Sequence, residues 1–261
     1  MVAELASSEQ RTVERLAVRY GIPLVLLAAA ALGWWWSVRM STGMRMDGMG
    51  GMDMSAKSAM SAAGFLVAWL AMMAAMMLPA MTPVVKLYAR ASGQRRVAPL
   101  PYFVSGYLAV WMFLGVPAYF AWRALDEPLA QGMEWAARVA GGFFVAAGVW
   151  QLTPLKELCL RHCRSPMSFF LRYGGRIGRP IGAARMGASH GFFCVGCCWA
   201  MFALLVAIGT MNVAWMLVLT ALIVTEKTSR HGERVATVAG AAFVVLGAIL
   251  LASPGNIDTI T

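Results

Sequence analysis

Between successive charged residues the chain keeps six uninterrupted runs, at 20–38, 58–85, 97–122, 139–155, 186–225 and 235–257. Since about 20 apolar residues in helical form cover the hydrocarbon core of a bilayer, most of these runs predict a membrane-spanning helix. A transmembrane β-barrel would show short segments of alternating polarity instead. The run at 186–225 is too long for one helix, and Gly209-Thr210-Met211-Asn212 interrupts it near its middle. Split there, the pattern predicts seven spans, roughly 20–38, 61–81, 100–122, 139–153, 188–208, 212–226 and 235–252. The sixth is short, and re-entry is the alternative to crossing. The expected fold is all-α, a polytopic helical membrane protein with about seven transmembrane helices.

Charge orients these spans. With the N-terminus cytoplasmic, the inner segments hold 17 Lys and Arg, among them Lys86, Lys156 and Lys227, and the outer segments hold 5. Such an excess of inner basic residues sets topology. Joining the fifth and sixth spans would worsen the ratio to 14 against 8. The first span has the basic start of a signal peptide, but Trp34-Trp35-Trp36 replaces a small-residue cleavage site, so an anchor with its tryptophans at the outer surface is expected. Composition agrees with this picture: 60% of the 261 residues are apolar and 13% charged, which excludes a disordered chain and an ordinary soluble domain. The net charge of +10 calls for no nucleic acid, because basic loops facing anionic lipid account for it. One membrane domain over 1–261 is expected: tail and anchor helix at 1–38, an outer loop at 39–60, a helical core at 61–226 and a last helix at 235–252.

Candidate chemistry is carried by sulfur. Seven of the 20 methionines lie in 40–60 and five in 72–81. In the outer loop, Met44, Met46, Met49, Met52 and Met54 alternate with Asp47, Asp53 and several glycines, a pattern with no period that would bury them. Thioethers are soft ligands that favour Cu(I), and they neither lose a proton nor form disulfides. The two carboxylates would attract the cation. A linker whose methionines rest on the membrane surface is the alternative. In the second group, Met72 and Met76 share one helical stripe, Met73 and Met77 the next, and Met81 lies beyond. Ordinary packing explains these as well as ligation does. The nearby alanines 71, 74, 75 and 80 would admit a neighbouring helix closely, and Pro79 and Pro83 free backbone carbonyls at that level.

The cysteines are too few for a disulfide scaffold, and their clustering is informative. His190, Cys194, Cys197, Cys198 and Met201 fall within about a quarter-turn stripe of one helix. A thiolate paired with Cu(I) is neutral and avoids the cost of an isolated charge inside a membrane. On the inner side, Cys159-Leu-Arg-His162-Cys163 places two thiols at i and i+4 if the segment is helical, a spacing that suits two-coordinate Cu(I) or half of a zinc site. Counted by depth, Met77 and Met81 lie level with His190 and Cys194. This predicts an inner thiol–thioether site between the second and fifth spans, fed or drained by Cys159 and Cys163. Gln151 and Glu226 stand near span ends, where snorkelling or capping accounts for them.

Three ordered blocks are distinctive together: Ala71-Met-Met-Ala-Ala-Met-Met-Leu-Pro79 with Pro83; Gln151-Leu-Thr-Pro-Leu-Lys156 through Cys159 and Cys163-Arg-Ser-Pro166; and His190-Gly191 with Cys194-Val-Gly-Cys-Cys-Trp199. They resemble the bacterial family of predicted metal-binding integral membrane proteins, some of whose members look like copper chaperones serving tyrosinase-type polyphenol oxidases. The resemblance covers about 70–200. It implies that Met72, Met73, Met76, Met77, Cys159, Cys163, Cys194, Cys197 and Cys198 are metal positions, and that the protein sits in the bacterial inner membrane. The 44–54 loop and the last helix lie outside those blocks.

The expected function is a membrane copper-binding protein, with Cu(I) as cargo, that passes the ion to a copper-requiring enzyme such as a polyphenol oxidase or across the membrane. Zinc and silver suit the same thiols. A non-enzymatic role is expected. Two rivals remain: a thiol–disulfide oxidoreductase using Cys194 and Cys197, which leaves the methionines unexplained, and a structural subunit of a membrane complex. No P-loop and no Cys-x-x-Cys-His is present, which removes intrinsic ATP-driven pumping and haem attachment.

Overall fold

The computed structural model describes residues 20–47, 61–91, 100–131, 133–164, 179–208 and 212–253. Among them there are eight helices and no strand: α1 Ile22–Asp47, α2 Ala62–Ala91, α3 Leu100–Ala130, α4 Glu134–Gln151, α5 Pro154–Arg164, α6 Pro180–Ile208, α7 Val213–Thr228 and α8 Gly232–Ala252. Five of these, α1, α2, α3, α6 and α8, are long and apolar enough to cross a membrane. Apolar side chains cover the outside of the bundle as well as filling its core. Large side chains such as Leu24, Val25, Phe113, Phe120, Phe192 and Val238 point outward, while Gln151, Lys156, His190 and Glu226 are buried. Apolar surface of that extent is stable against lipid, not water.

The expected break after the fifth span lies between α6 and α7. Asn212 caps α7, its Oδ1 accepting from the Ala214 and Trp215 amides at 3.1 and 3.2 Å. Such a cap satisfies amides that a new helix would leave bare. With 16 residues, α7 is about 24 Å long at 1.5 Å per residue, shorter than a bilayer core of about 30 Å.

Other helix ends depart from the expected span limits, because a charged residue marks where a helix leaves an apolar medium and not where its hydrogen bonding stops. Helix α1 continues through Arg39 to Asp47, so Met44, Met46 and Asp47 belong to a helix and not to the expected loop. Met and Arg are good helix formers, and closely spaced glycines begin only at Gly48. Met49, Met52, Asp53 and Met54 lie outside the described residues. Helix α2 runs through Pro79 and Pro83 to Ala91, and the Thr82 hydroxyl donates to the Leu78 carbonyl at 3.0 Å beside them. Helix α6 begins at Pro180, which suits a first helical position, eight residues before the expected start.

Helices α2 and α6 form the centre, with 61% and 67% of their apolar stretches buried against 22–28% for α1, α3 and α8. Their surroundings are set by glycine. A β-carbon on Gly187 of α6 would overlap the Phe103 carbonyl of α3, and one on Gly106 of α3 would overlap the Ala184 carbonyl of α6. The two backbones therefore cross almost in contact, as small residues allow between membrane helices. Ala71 and Ala75 of α2 do admit a close neighbour, and it is α1: a β-carbon on Gly33 would stand 2.6 Å from the Ala71 carbonyl oxygen.

Candidate metal centre

Helix α6 presents three thiols to one side because Cys194, Cys197 and Cys198 are spaced by three and four residues. Each is 1–2% exposed. The Cys197 and Cys198 thiols donate to the Cys194 carbonyl at 3.1 and 2.9 Å, and their sulfurs lie 3.2 Å apart. This back-bonding satisfies the thiols within the helix and fixes their directions.

Helix α5 delivers the next thiol. Its buried residues Lys156, Leu160 and Cys163 repeat at i, i+4 and i+7, so one stripe faces the bundle. Cys163 Sγ stands 3.8 Å from Cys197 Sγ, and the sulfurs of Cys163, Cys194 and Cys197 all lie within 4.8 Å of one another. From α2, Met77 Sδ reaches within 3.9 Å of Cys194 Sγ, so the second and fifth predicted spans do meet at sulfur. With metal–sulfur bonds of about 2.3 Å, sulfurs sharing one ion are separated by about 3.8 Å in tetrahedral and about 4.6 Å in linear geometry. The spacing in the structure is of that size. Four soft donors from three helices thus converge.

Two further groups converge on Cys194. Tyr107 of α3 shares a 3.1 Å hydrogen bond between its hydroxyl and Cys194 Sγ. Lys227, in the last turn of α7, donates from Nζ to Cys194 Sγ at 2.9 Å and lies 3.8 Å from Met77 Sδ. An ammonium at that distance balances a thiolate. Outside the apolar stretches, the Cys163 thiol is held well above its ordinary range, first by hydrogen bonding with Cys194 and then by burial. A metal binding there must displace its proton.

The remaining predicted positions lie around this centre. Met72, Met73, Met76 and Met81 are buried in the core along α2. Cys159 is half-buried, with its sulfur against Gly196, where a β-carbon would stand 2.7 Å away. Helix α5 does carry Cys159 and Cys163 at i and i+4, but Cys163 turns to Cys197 and Cys159 is not in the three-thiol group. His190 is buried beside Tyr107 and Phe103, with ring centroids at 5.9 and 6.3 Å, and is likewise not in that group. His162 stacks on Phe193 at 4.6 Å, and its Nδ1 is 2.8 Å from the Leu158 carbonyl.

Snorkelling and capping do not account for Gln151 and Glu226. Both are buried: Glu226 accepts from Gln151 Nε2 at 2.9 Å and from Lys156 Nζ at 2.8 Å, the ion pair being 1% and 3% exposed. In sequence Lys156 and Lys227 look like loop charges that orient the chain. A lysine immediately after a buried-face glutamate at the end of an apolar run, and another inside the block leading to Cys159, were the available signals.

A family model named PpoB2 and described as a copper chaperone matches residues 66–250, which takes in every cluster residue and nearly all of α8 but not the 44–54 segment. No curated protein and no solved structure matches the chain.

Proposed function

The chain belongs to the PpoB2 copper chaperone family, and on that premise we propose that it holds Cu(I) within the membrane and hands it to a copper-requiring enzyme. The observation that carries this reading is the convergence of Cys163, Cys194 and Cys197 from two helices, with the Met77 thioether beside them. Soft, low-coordinate donors favour Cu(I) over hard cations, while silver and zinc suit the same sulfurs. Cys159, half-exposed beside Gly196, is the proposed exchange ligand at the edge of the site. The other α2 methionines, His190, His162 and Cys198 shape its surroundings. The methionine and aspartate positions at 44–54 collect the ion on the outer face. We place the chain in the bacterial inner membrane with seven spans, counting α4 and α7, and the N-terminus inside; a tyrosinase-type polyphenol oxidase is the recipient class. No catalytic step is assigned. The thiol–disulfide alternative fits less well, because exchange requires an accessible thiolate and Cys194 and Cys197 are 1% and 2% exposed.

Copper stoichiometry after anaerobic loading and challenge with a Cu(I) chelator tests the proposal. The wild type is expected to keep copper and the Cys163/Cys194/Cys197→Ser variant to lose it. Equal retention by both would remove these thiols as the site. Met77→Leu keeps the volume and removes the thioether, so it is expected to weaken Cu(I) affinity by about 3–10-fold without unfolding the protein; chelator competition measures this.

A further inference from the structure

Lys227, half-buried, is set apart from the buried charges. The carboxylate nearest to it in sequence, Glu226, is taken by Lys156 and Gln151, a pair whose charges cancel. Among the described residues the Lys227 ammonium is instead directed at sulfur, 2.9 Å from Cys194 and 3.8 Å from Met77. One positive charge is thus left over, inside a cluster whose other members are thiols, a thioether and a phenol. A lone cation in such surroundings is costly unless an anion accompanies it. Cu(I) held by two cysteine thiolates supplies that anion: +1 from the ion and −2 from the ligands leave −1, and the two thiol protons displaced on coordination leave to solvent. Met77 adds no charge.

We infer that Lys227 is the built-in counter-cation of an anionic Cu(I)–bis(thiolate) complex, touching the ligand sulfur of Cys194 and not the metal. This rests on the copper-binding reading above. With Lys227 in place the loaded centre is neutral overall, so an ion with two thiolates can lie at this depth without a second cation. A residue outside the ligand set that contacts a ligand atom changes metal affinity by about 10–100-fold when removed.

The test compares the full-length wild type with Lys227→Met, Lys227→Gln and Lys227→Arg in detergent without oxygen, using competition with a coloured Cu(I) chelator. Both neutral variants are expected to lose about 10–100-fold in Cu(I) affinity, and Lys227→Arg to stay within about threefold of the wild type because it keeps the charge. Gel filtration and thermal unfolding of the copper-free proteins accompany the titrations. Neutral variants that bind Cu(I) as tightly as the wild type would overturn the inference and leave the copper site standing. Loss of the fold in both neutral variants would overturn it as well, by making Lys227 a structural residue. A wild type that holds no Cu(I) would remove the copper reading itself.

Discussion

Replacing Lys156 with methionine is expected to cost about 3–5 kcal/mol of stability, seen as a lower unfolding temperature in detergent and faster alkylation of Cys163. The Lys156 ammonium and the Glu226 carboxylate are 2.8 Å apart and almost wholly buried. Removing the cation leaves a carboxylate with one neutral partner, Gln151, at 2.9 Å. The penalty is that of the stranded charge and not the net worth of the pair, so the double variant Lys156→Met/Glu226→Gln is expected to regain most of the loss. In that variant residue 226 is a neutral amide that keeps a hydrogen bond with Gln151. A double variant as unstable as the single one would show that Lys156 acts by packing instead. The pair links α5, which carries Cys163, to α7, which carries Lys227 in the next position, so copper retention should fall together with stability.

Gly187→Val is expected to be at least as damaging. A core that gains one or two methyl groups loses about 1–3 kcal/mol when side chains can move aside. Here the obstacle is the Phe103 main-chain carbonyl, which moves only if α3 and α6 separate. Separation carries Tyr107, one turn beyond Phe103, away from Cys194, two turns beyond Gly187, and so breaks their 3.1 Å hydrogen bond. Thermal unfolding together with alkylation of Cys194 reads both effects. By contrast, Gly142→Ala on α4 places its β-carbon in open space and is expected to leave both readouts unchanged.

Much of the architecture was legible because a bilayer imposes a simple code. Charge-free runs of sufficient length predict helices, and the break expected within the longest run agrees with the start of α7, which Asn212 caps with its own side chain. The same code misjudged helix ends. The α1 boundary at Arg39 is a change of medium, whereas backbone hydrogen bonding continues to Asp47. Within the candidate site, the spacing of Cys194, Cys197 and Cys198 was readable as one helix face, and α5 was readable as a second source of thiols.

Periodicity within one helix could not say which neighbour meets that face. Depth put Met77 and Met81 level with Cys194, and the packing of α2 decides that Met77 is the one whose sulfur comes within 3.9 Å of it. Cys159 and Cys163 were equivalent in spacing, yet the direction of α5 sends Cys163 to Cys197 and leaves Cys159 against Gly196. Lys156, Glu226 and Lys227 resembled interfacial charges because long polar side chains near a helix end usually reach water. Local sequence settles which residues share a helix face, since that depends only on the rise and turn of the backbone. Whether a side chain near the membrane surface turns outward to water or inward to a buried partner depends on the helix beside it, and only the packed bundle decides that.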